Sequence, residues 1–264
     1  MFSSTLLRDR VALVSGAGDG IGRGIALSLA RAGADVGVCA LREDAVRETA
    51  GQIESLGRRA YAAAFDASDE SAVSRFVSDV ATTLGPATIL IPNAAVMPVV
   101  DVEAMVEDDI DACYRAKFKS AVLLSKHCIP HMRHAGNGSI VCMASVTGNV
   151  GFAKHAVYGA MNAAMQGFAR GLAMELAPYG IRVNSVSPGT VDSPMLHRYI
   201  ADSGEDATAL RAAFDAVHPR GTIGSIDDVA NCFTFLASPL AANITGEDLR
   251  CDGGFSFKGG QASS

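Results

Sequence analysis

Charge is what this 264-residue chain has least of. Only 19% of its residues are charged, the net charge is −6, and the basic residues are scattered rather than grouped. That leaves no electrostatic footprint for a nucleic-acid backbone. No apolar run approaches membrane-spanning length. The first residues, MFSSTLLRDRVALVSGAG, lack a basic leader and a long apolar stretch, so no signal peptide is predicted. The six cysteines (Cys39, Cys113, Cys128, Cys142, Cys232 and Cys251) lie far apart, four of them inside apolar runs. In a chain this long they read as buried thiols of a reducing compartment, not as a disulfide framework. Internal repeats and shifts of composition that would mark a domain boundary are also missing. With 49% hydrophobic residues and ample length for a core, the expectation is a single cytoplasmic enzyme domain over residues 1–264.

What is present is alternation. Short apolar runs at 10–16, 34–40, 59–66, 88–95, 138–145 and 181–189 read as strands, with helical patterns between them, such as Ile21 to Ala32 and Glu43 to Leu56. Near-continuous apolar strands separated by helices predict an α/β, doubly wound, Rossmann-type fold with a mostly parallel sheet. The segment 190–225 is longer, more polar and less periodic. It predicts a loop with short helices over the C-terminal strand edge, where a substrate lid would sit.

SGAGDGIGRG (15–24) lies between the first strand and the first helix. Gly16, Gly20 and Gly22 let the chain turn sharply and bring backbone N–H groups to a pyrophosphate at a helix N-terminus, which predicts dinucleotide binding. An acid at the end of the second strand would hold a ribose 2′-OH and select NAD. That end reads VCALRED, with no acid and with Arg42 available for a 2′-phosphate. The reading leans slightly to NADP, although Asp19 in the glycine loop would repel that phosphate. Arg42 is equally readable as a helix-start residue pairing with Glu43 or Asp44.

The order of motifs resembles the short-chain dehydrogenase/reductase family over essentially the whole chain. SGAGDGIG resembles its glycine motif, FDASD its third-strand end, PNAAV its Asn-Asn-Ala-Gly segment, NSVSPGTVDSPM its Pro-Gly segment and ITGEDLRCDGG its C-terminal strand. Ser145 stands thirteen residues before Tyr158, the family's serine–tyrosine spacing. The resemblance implies a seven-stranded sheet, an NADP or NAD cofactor and an alcohol/carbonyl oxidoreductase. It places Gly16, Gly20, Ile21, Gly22, Arg42, Asp66, Ala67, Asn93, Ala94, Pro188, Gly189, Val191 and Ser193 against the cofactor. In the family the tyrosine exchanges a proton with the substrate oxygen and the serine polarises that oxygen. A lysine four residues after the tyrosine lowers the phenol pKa and holds the nicotinamide ribose, and a helix asparagine organises a water. Here YGAMN puts Asn162 where the lysine is expected, and aligning KFKSAVLLSKHCIPHM by its end puts Lys117 where the asparagine is expected. Amide and ammonium have changed places, so Ser145, Tyr158, Lys117 and Asn162 become the catalytic set, with Tyr158 and Asn162 also reaching the cofactor.

Lys117 need not be a surface lysine. Arg115, Lys119, Lys126 and Arg133 mark an outer stripe, and at ~100° per residue Lys117 lies ~200° from its charged neighbours. That puts it on the face carrying Ile110, Cys113, Ala121, Leu124 and Cys128. The expectation is an inward ammonium that lowers the phenol pKa; the alternative is a lysine reaching solvent along its stem. His127, Cys128, His131 and His134 have helical spacing but no acidic partner, so no metal site is expected. Met97, Val99, Val146, Thr147, Phe152, His155, Met195, Leu196 and His197 form a mostly apolar candidate pocket without an arginine pair, which points to a neutral, fairly hydrophobic small-molecule substrate. His155 is readable as a substrate ligand or as a loop residue. Ser/Asp-rich clusters near 68–70, 107–109 and 225–228 read as helix starts. Helices at 108–134 and 155–177 carry spare apolar residues (Tyr114, Phe118 and Val122), which with the resemblance predicts a homodimer or homotetramer. A second reading, a dinucleotide-binding sensor or subunit partner without hydride chemistry, stays open because the lysine is lost.

Overall fold

The computed structural model describes residues 2–257; Met1 and residues 258–264 of the expected 1–264 range lie outside the described residues. Seven strands form one sheet: β1 (Val11–Ser15), β2 (Asp35–Ala40), β3 (Ala60–Ala64), β4 (Ile89–Ile91), β5 (Gly138–Met143), β6 (Ile181–Pro188) and β7 (Asp248–Cys251). Their order is β3-β2-β1-β4-β5-β6-β7, and every neighbouring pair is parallel, so the sheet is parallel throughout rather than mostly so. The chain runs outward from β1 through β2 to β3, then crosses back so that β4 pairs on the other side of β1. That reversal leaves a crevice beyond the carboxyl ends of β1 and β4, where open α/β sheets take their ligands.

Alternation along each strand divides the core. Ala12 and Val14 of β1 join Val36, Val38, Ile89 and Ile91 on one face, under α1 (Gly20–Arg31), α2 (Glu43–Ser55) and, later in the chain, α9 (Ile226–Ala237). Val11 and Leu13 join Cys39, Leu90, Ile140 and Cys142 on the other, under α3 (Glu70–Thr83), α5 (Ser120–Ala135) and α6 (Ala156–Leu176). Both faces are covered, which is why the strands read as unbroken apolar runs. Each fully buried Leu, Ile or Phe, such as Leu29 or Phe233, stabilises the fold by about 1.5–3 kcal/mol. Helix starts fall where the polar clusters stand: Asp69 caps α3, and Ser225 with Asp228 forms a capping box on α9. The segment 190–225 holds α7 (Pro194–Ser203) and α8 (Ala207–Val217), each opened by a side-chain cap, Ser193 and Asp206. No helix among the described residues is long and apolar enough to cross a membrane.

One helix departs from the expected period. α4 (Glu107–Cys113) passes into a π-helical stretch, Tyr114–Lys119, and then into α5 without leaving helical backbone angles. A π turn holds more residues than an α turn and shifts the faces on its two sides relative to one another. Cys113, Lys117, Ala121, Leu124 and Cys128 are buried as expected, but Ile110 is 45% exposed. Its inward placement was an extrapolation of 3.6 residues per turn across a stretch that does not keep that period.

Candidate functional site

The crevice is a cleft of about 810 Å³. At its floor, Gly16 and Gly20 hold φ values of +63° and +54°, and a Cβ on Gly22 would stand 2.1 Å from the Gly16 carbonyl oxygen. The loop therefore closes on its own helix only with glycine at 22. Asn93 braces it: the amide nitrogen donates to the carbonyls of Ser15 (3.0 Å) and Gly16 (3.1 Å), and its backbone N–H donates to Ser15 Oγ. Asp66 accepts from the Ser68 N–H, which turns the chain after β3. Gly16, Gly20, Ile21, Gly22, Arg42, Asp66, Ala67, Asn93, Ala94, Pro188, Gly189, Val191 and Ser193 all line the cleft.

Arg42 does not stand free at the rim. Its guanidinium donates to Asp19 Oδ2 at 3.3 Å and lies 3.8 Å from Asp44, while Arg198 of α7 approaches the same Asp19 oxygen at 4.0 Å. Two arginines converge on one carboxylate at the glycine-loop end of the cleft. Both line it. Arg198 sits in a segment of weak periodicity, and nothing in its neighbours marks it.

At the other end, Ser145 follows β5 and its Oγ accepts from the Thr147 N–H at 3.2 Å. Tyr158 projects from the first turn of α6 and is nearly buried. Lys117 is 2% exposed, lines the cleft, and places its Nζ over the Tyr158 ring, 5.6 Å from the centroid, within cation–π range. Asn162, 0% exposed, donates from Nδ2 to Thr147 Oγ1 and to the Tyr158 carbonyl, both at 2.9 Å. Four predicted catalytic residues are thus brought together, three of them on the cleft wall and Asn162 behind it.

The electrostatics are unusual. Among the described residues, Lys117 Nζ and Asn162 Oδ1 are buried without a hydrogen-bond partner. The ionisable groups acting on Lys117 are Cys113 and Cys142, and burial raises both thiols, Cys142 to about 12. They are neutral near pH 7 and supply no counter-ion. Burial lowers the Lys117 ammonium from the usual lysine range to about 8, so about nine in ten remain charged at pH 7. The expectation of a lowered phenol pKa is reversed. Burial raises Tyr158, and hydrogen bonding toward Asn162 and Ser145 only partly offsets it.

The other expectations divide. Met97, Val146, Thr147, Phe152, His155, Met195 and Leu196 line the cleft, joined by Tyr199 and Phe214. Val99 does not line it, nor does His197, which turns outward to pair with Asp192 at 2.7 Å. His155 donates from Nδ1 to the Ala153 carbonyl and meets the Tyr158 ring at 6.4 Å. His127 does have an acid beside it: Glu70 Oε1, from α3, lies 3.4 Å from Nε2, short of hydrogen-bond geometry. The sequence could not show this partner, 57 positions away. Among the described residues, no three potential ligands gather as a metal site would require.

Known proteins match the chain over nearly its whole length. A family model described as enoyl-(acyl carrier protein) reductase covers residues 16–256. The chain is 34% identical to cis-4-hydroxycyclohexanecarboxylate dehydrogenase of Sinomonas cyclohexanicum over 94% of this chain and 96% of that one. It is 32% identical to L-rhamnose 1-dehydrogenase (NAD(P)(+)) of Sphingomonas sp. (strain SKA58), over 94% and 97%. A solved structure from Burkholderia xenovorans, assigned to the short-chain dehydrogenases/reductases, superimposes with a TM-score of 0.92 at 32% identity, covering 97% of this chain and 99% of that one.

The unpaired ammonium sets a stability prediction. Its folded pKa lies below its unfolded one, so the folded state carries the full charge-burial cost below about 8 and sheds it as pH rises toward ~10.4. Lys117→Met, of similar volume, should stabilise the protein by about 2–3 kcal/mol at pH 7, with the gain shrinking toward pH 10. Urea unfolding at both pH values checks this; equal gains at both would contradict a charged, unpaired lysine.

Proposed function

This chain belongs to the short-chain dehydrogenase/reductase family, and we propose that it is a NAD(P)-dependent oxidoreductase interconverting a secondary alcohol and a carbonyl on a small, fairly hydrophobic substrate. The observation that carries this reading is the meeting of Ser145, Tyr158 and the buried Lys117 ammonium on one wall of the cleft. The cradle also fits a dinucleotide, since Gly16 and Gly20, both at positive φ, bring the loop backbone round to the N-terminus of α1, where a pyrophosphate would sit. The nicotinamide group supplies or accepts the hydride when bound. Ser145 Oγ orients the substrate oxygen, and Tyr158 Oη gives a proton to that oxygen or takes one from it. A phenol raised by burial is protonated at neutral pH, which suits Tyr158 to act as the acid in carbonyl reduction. In the oxidative direction the Lys117 charge over the ring offsets the cost of forming phenolate. Asn162 fixes the first turn of α6 through the Tyr158 carbonyl. The apolar walls keep water from the reacting oxygen. The Sinomonas relative is named for a cyclic secondary alcohol that also carries a carboxylate, a charge that the apolar walls here do not match. The second reading, binding without chemistry, draws on the commitment of the Asn162 amide to Thr147 and the backbone.

Kinetics decide between the two. Lys117→Ala should lower kcat for alcohol oxidation at least ~10²-fold and move the basic limb of the rate profile upward in pH. The double change Lys117→Asn with Asn162→Lys should recover more activity than either single change, because the two groups act as one unit. A rate and pH profile untouched by Lys117→Ala would make the lysine structural, and no turnover by the wild type across an alcohol panel would favour the binding-only reading.

For the cofactor the reading leans to NADP, with Arg42 as the 2′-phosphate ligand, displaced from Asp19 on binding. Arg42→Ala should weaken NADPH binding by ~1.5–3 kcal/mol and barely change NADH; equal losses, measured by fluorescence titration, would refute it. Assembly is proposed to be dimeric or tetrameric. Val102, Val106, Ile110 and Tyr114 are exposed, in or just before the first of the two helices expected to pair, and light scattering at micromolar concentration should find no monomer.

A further inference from the structure

His218 follows α8 and is 3% exposed. Its Nδ1 lies 2.7 Å from the Phe214 carbonyl oxygen, and its Nε2 receives the Thr190 N–H at 3.3 Å. These partners settle the tautomer. A carbonyl can only accept, so the proton is on Nδ1; a backbone N–H can only donate, so Nε2 keeps its lone pair. The ring is therefore neutral, and both nitrogens are spent on backbone.

What it joins matters more than the bonds themselves. Phe214 is on α8 and Thr190 follows β6, and both line the cleft. The third contact is Phe255, whose ring lies 5.3 Å from the imidazole and stacks on cleft-lining Phe152 at 5.4 Å. The fit is close: a Cβ on Gly189 would stand 2.9 Å from His218 Nε2. One imidazole thus ties three walls of the cleft to each other.

The charged groups around it are already engaged. On α8, Asp215 accepts from the Ile223 N–H and lies 3.5 Å from Arg211. After β6, Asp192 is held by His197 and Arg211. After β7, Asp252 accepts from Gly254 and Ser256, and Arg250 stacks on Phe257. In the turn that follows His218, Arg220 faces Asp228. None of these carboxylates makes a hydrogen bond to the imidazole that would hold it as a cation.

We infer that His218 is a positioning residue. In its neutral form it holds α8 and the Phe255 wall against the Gly189–Thr190 backbone, and its protonation releases them. A proton on Nε2 sets one N–H against another, so the Thr190 bond is lost as pH falls. The consequence for cofactor affinity rests on the dinucleotide reading above; the mechanical link does not.

Amide hydrogen exchange on the full chain without added nucleotide tests it. Between about pH 8 and about pH 5, wild-type peptides spanning 188–192 and 207–217 should lose about tenfold in protection beyond the intrinsic pH effect. His218→Gln carries an uncharged amide to the Nε2 position and should keep that protection at both pH values. His218→Phe should lack it at both. Parallel pH responses in wild type and His218→Gln would overturn the inference, as would a protected His218→Phe; if the latter fails to fold, the glutamine comparison decides alone. NADPH titration of the same samples is a separate readout. A wild type that binds no dinucleotide would sink the cofactor reading and leave the exchange result to judge His218.

Discussion

An ammonium held away from water without a counter-ion is the constraint around which the site is organised. Lys117 costs the fold stability wherever it is charged, and Cys113 and Cys142, neutral thiols, do nothing to compensate. The ring of Tyr158 is the one favourable electrostatic surface that the structure gives it. Everything that fixes that ring therefore also fixes the cation: the start of α6, the Asn162 amide that grips the first turn, and Thr147 beneath it. The same burial that depresses the amine elevates the phenol. The two groups are driven toward their neutral forms by one cause.

A second polar centre supports this arrangement from below. Asp248 of β7 accepts from Ser185 (2.6 Å), Ser187 (2.8 Å), Gln166 (3.2 Å) and Asn149 (3.3 Å). Gln166 stands one turn past Asn162 on α6, Ser185 and Ser187 are on β6, and Asn149 ends the turn that begins at Ser145. The carboxylate is met by neutral donors alone. It ties α6, the serine turn and the sheet edge to one point, which limits how far Tyr158 and Ser145 can move apart.

Much of this was legible in the sequence, because strand burial and the glycine loop are local patterns. Parallel strands covered on both faces must be apolar along their length, and a strand–glycine–helix junction carries its own spacing. The inward direction of Lys117 was readable from the charged stripe around it. What escaped the reading depends on distance or on a change of period. Glu70 beside His127 and Arg198 beside Asp19 are encounters across the fold. Ile110 was misplaced by a helix that changes its pitch. His218 gave no signal, since HPRG in an aperiodic stretch looks like any turn, and only the partners of both ring nitrogens reveal what it holds.

The π turn at Tyr114–Lys119 makes this helix sensitive to length rather than to composition. It absorbs a residue that an α-helix would have no room for. Deleting one residue there would let the segment close to α-helix while the turns on either side kept their facing, since six residues of π-helix turn through about the same angle as five of α-helix. Many side chains along the rod could be exchanged without moving Lys117. A residue lost between Lys117 and α5 would move it one position along the helix, so the place of this cation depends on a residue count that no single substitution alters.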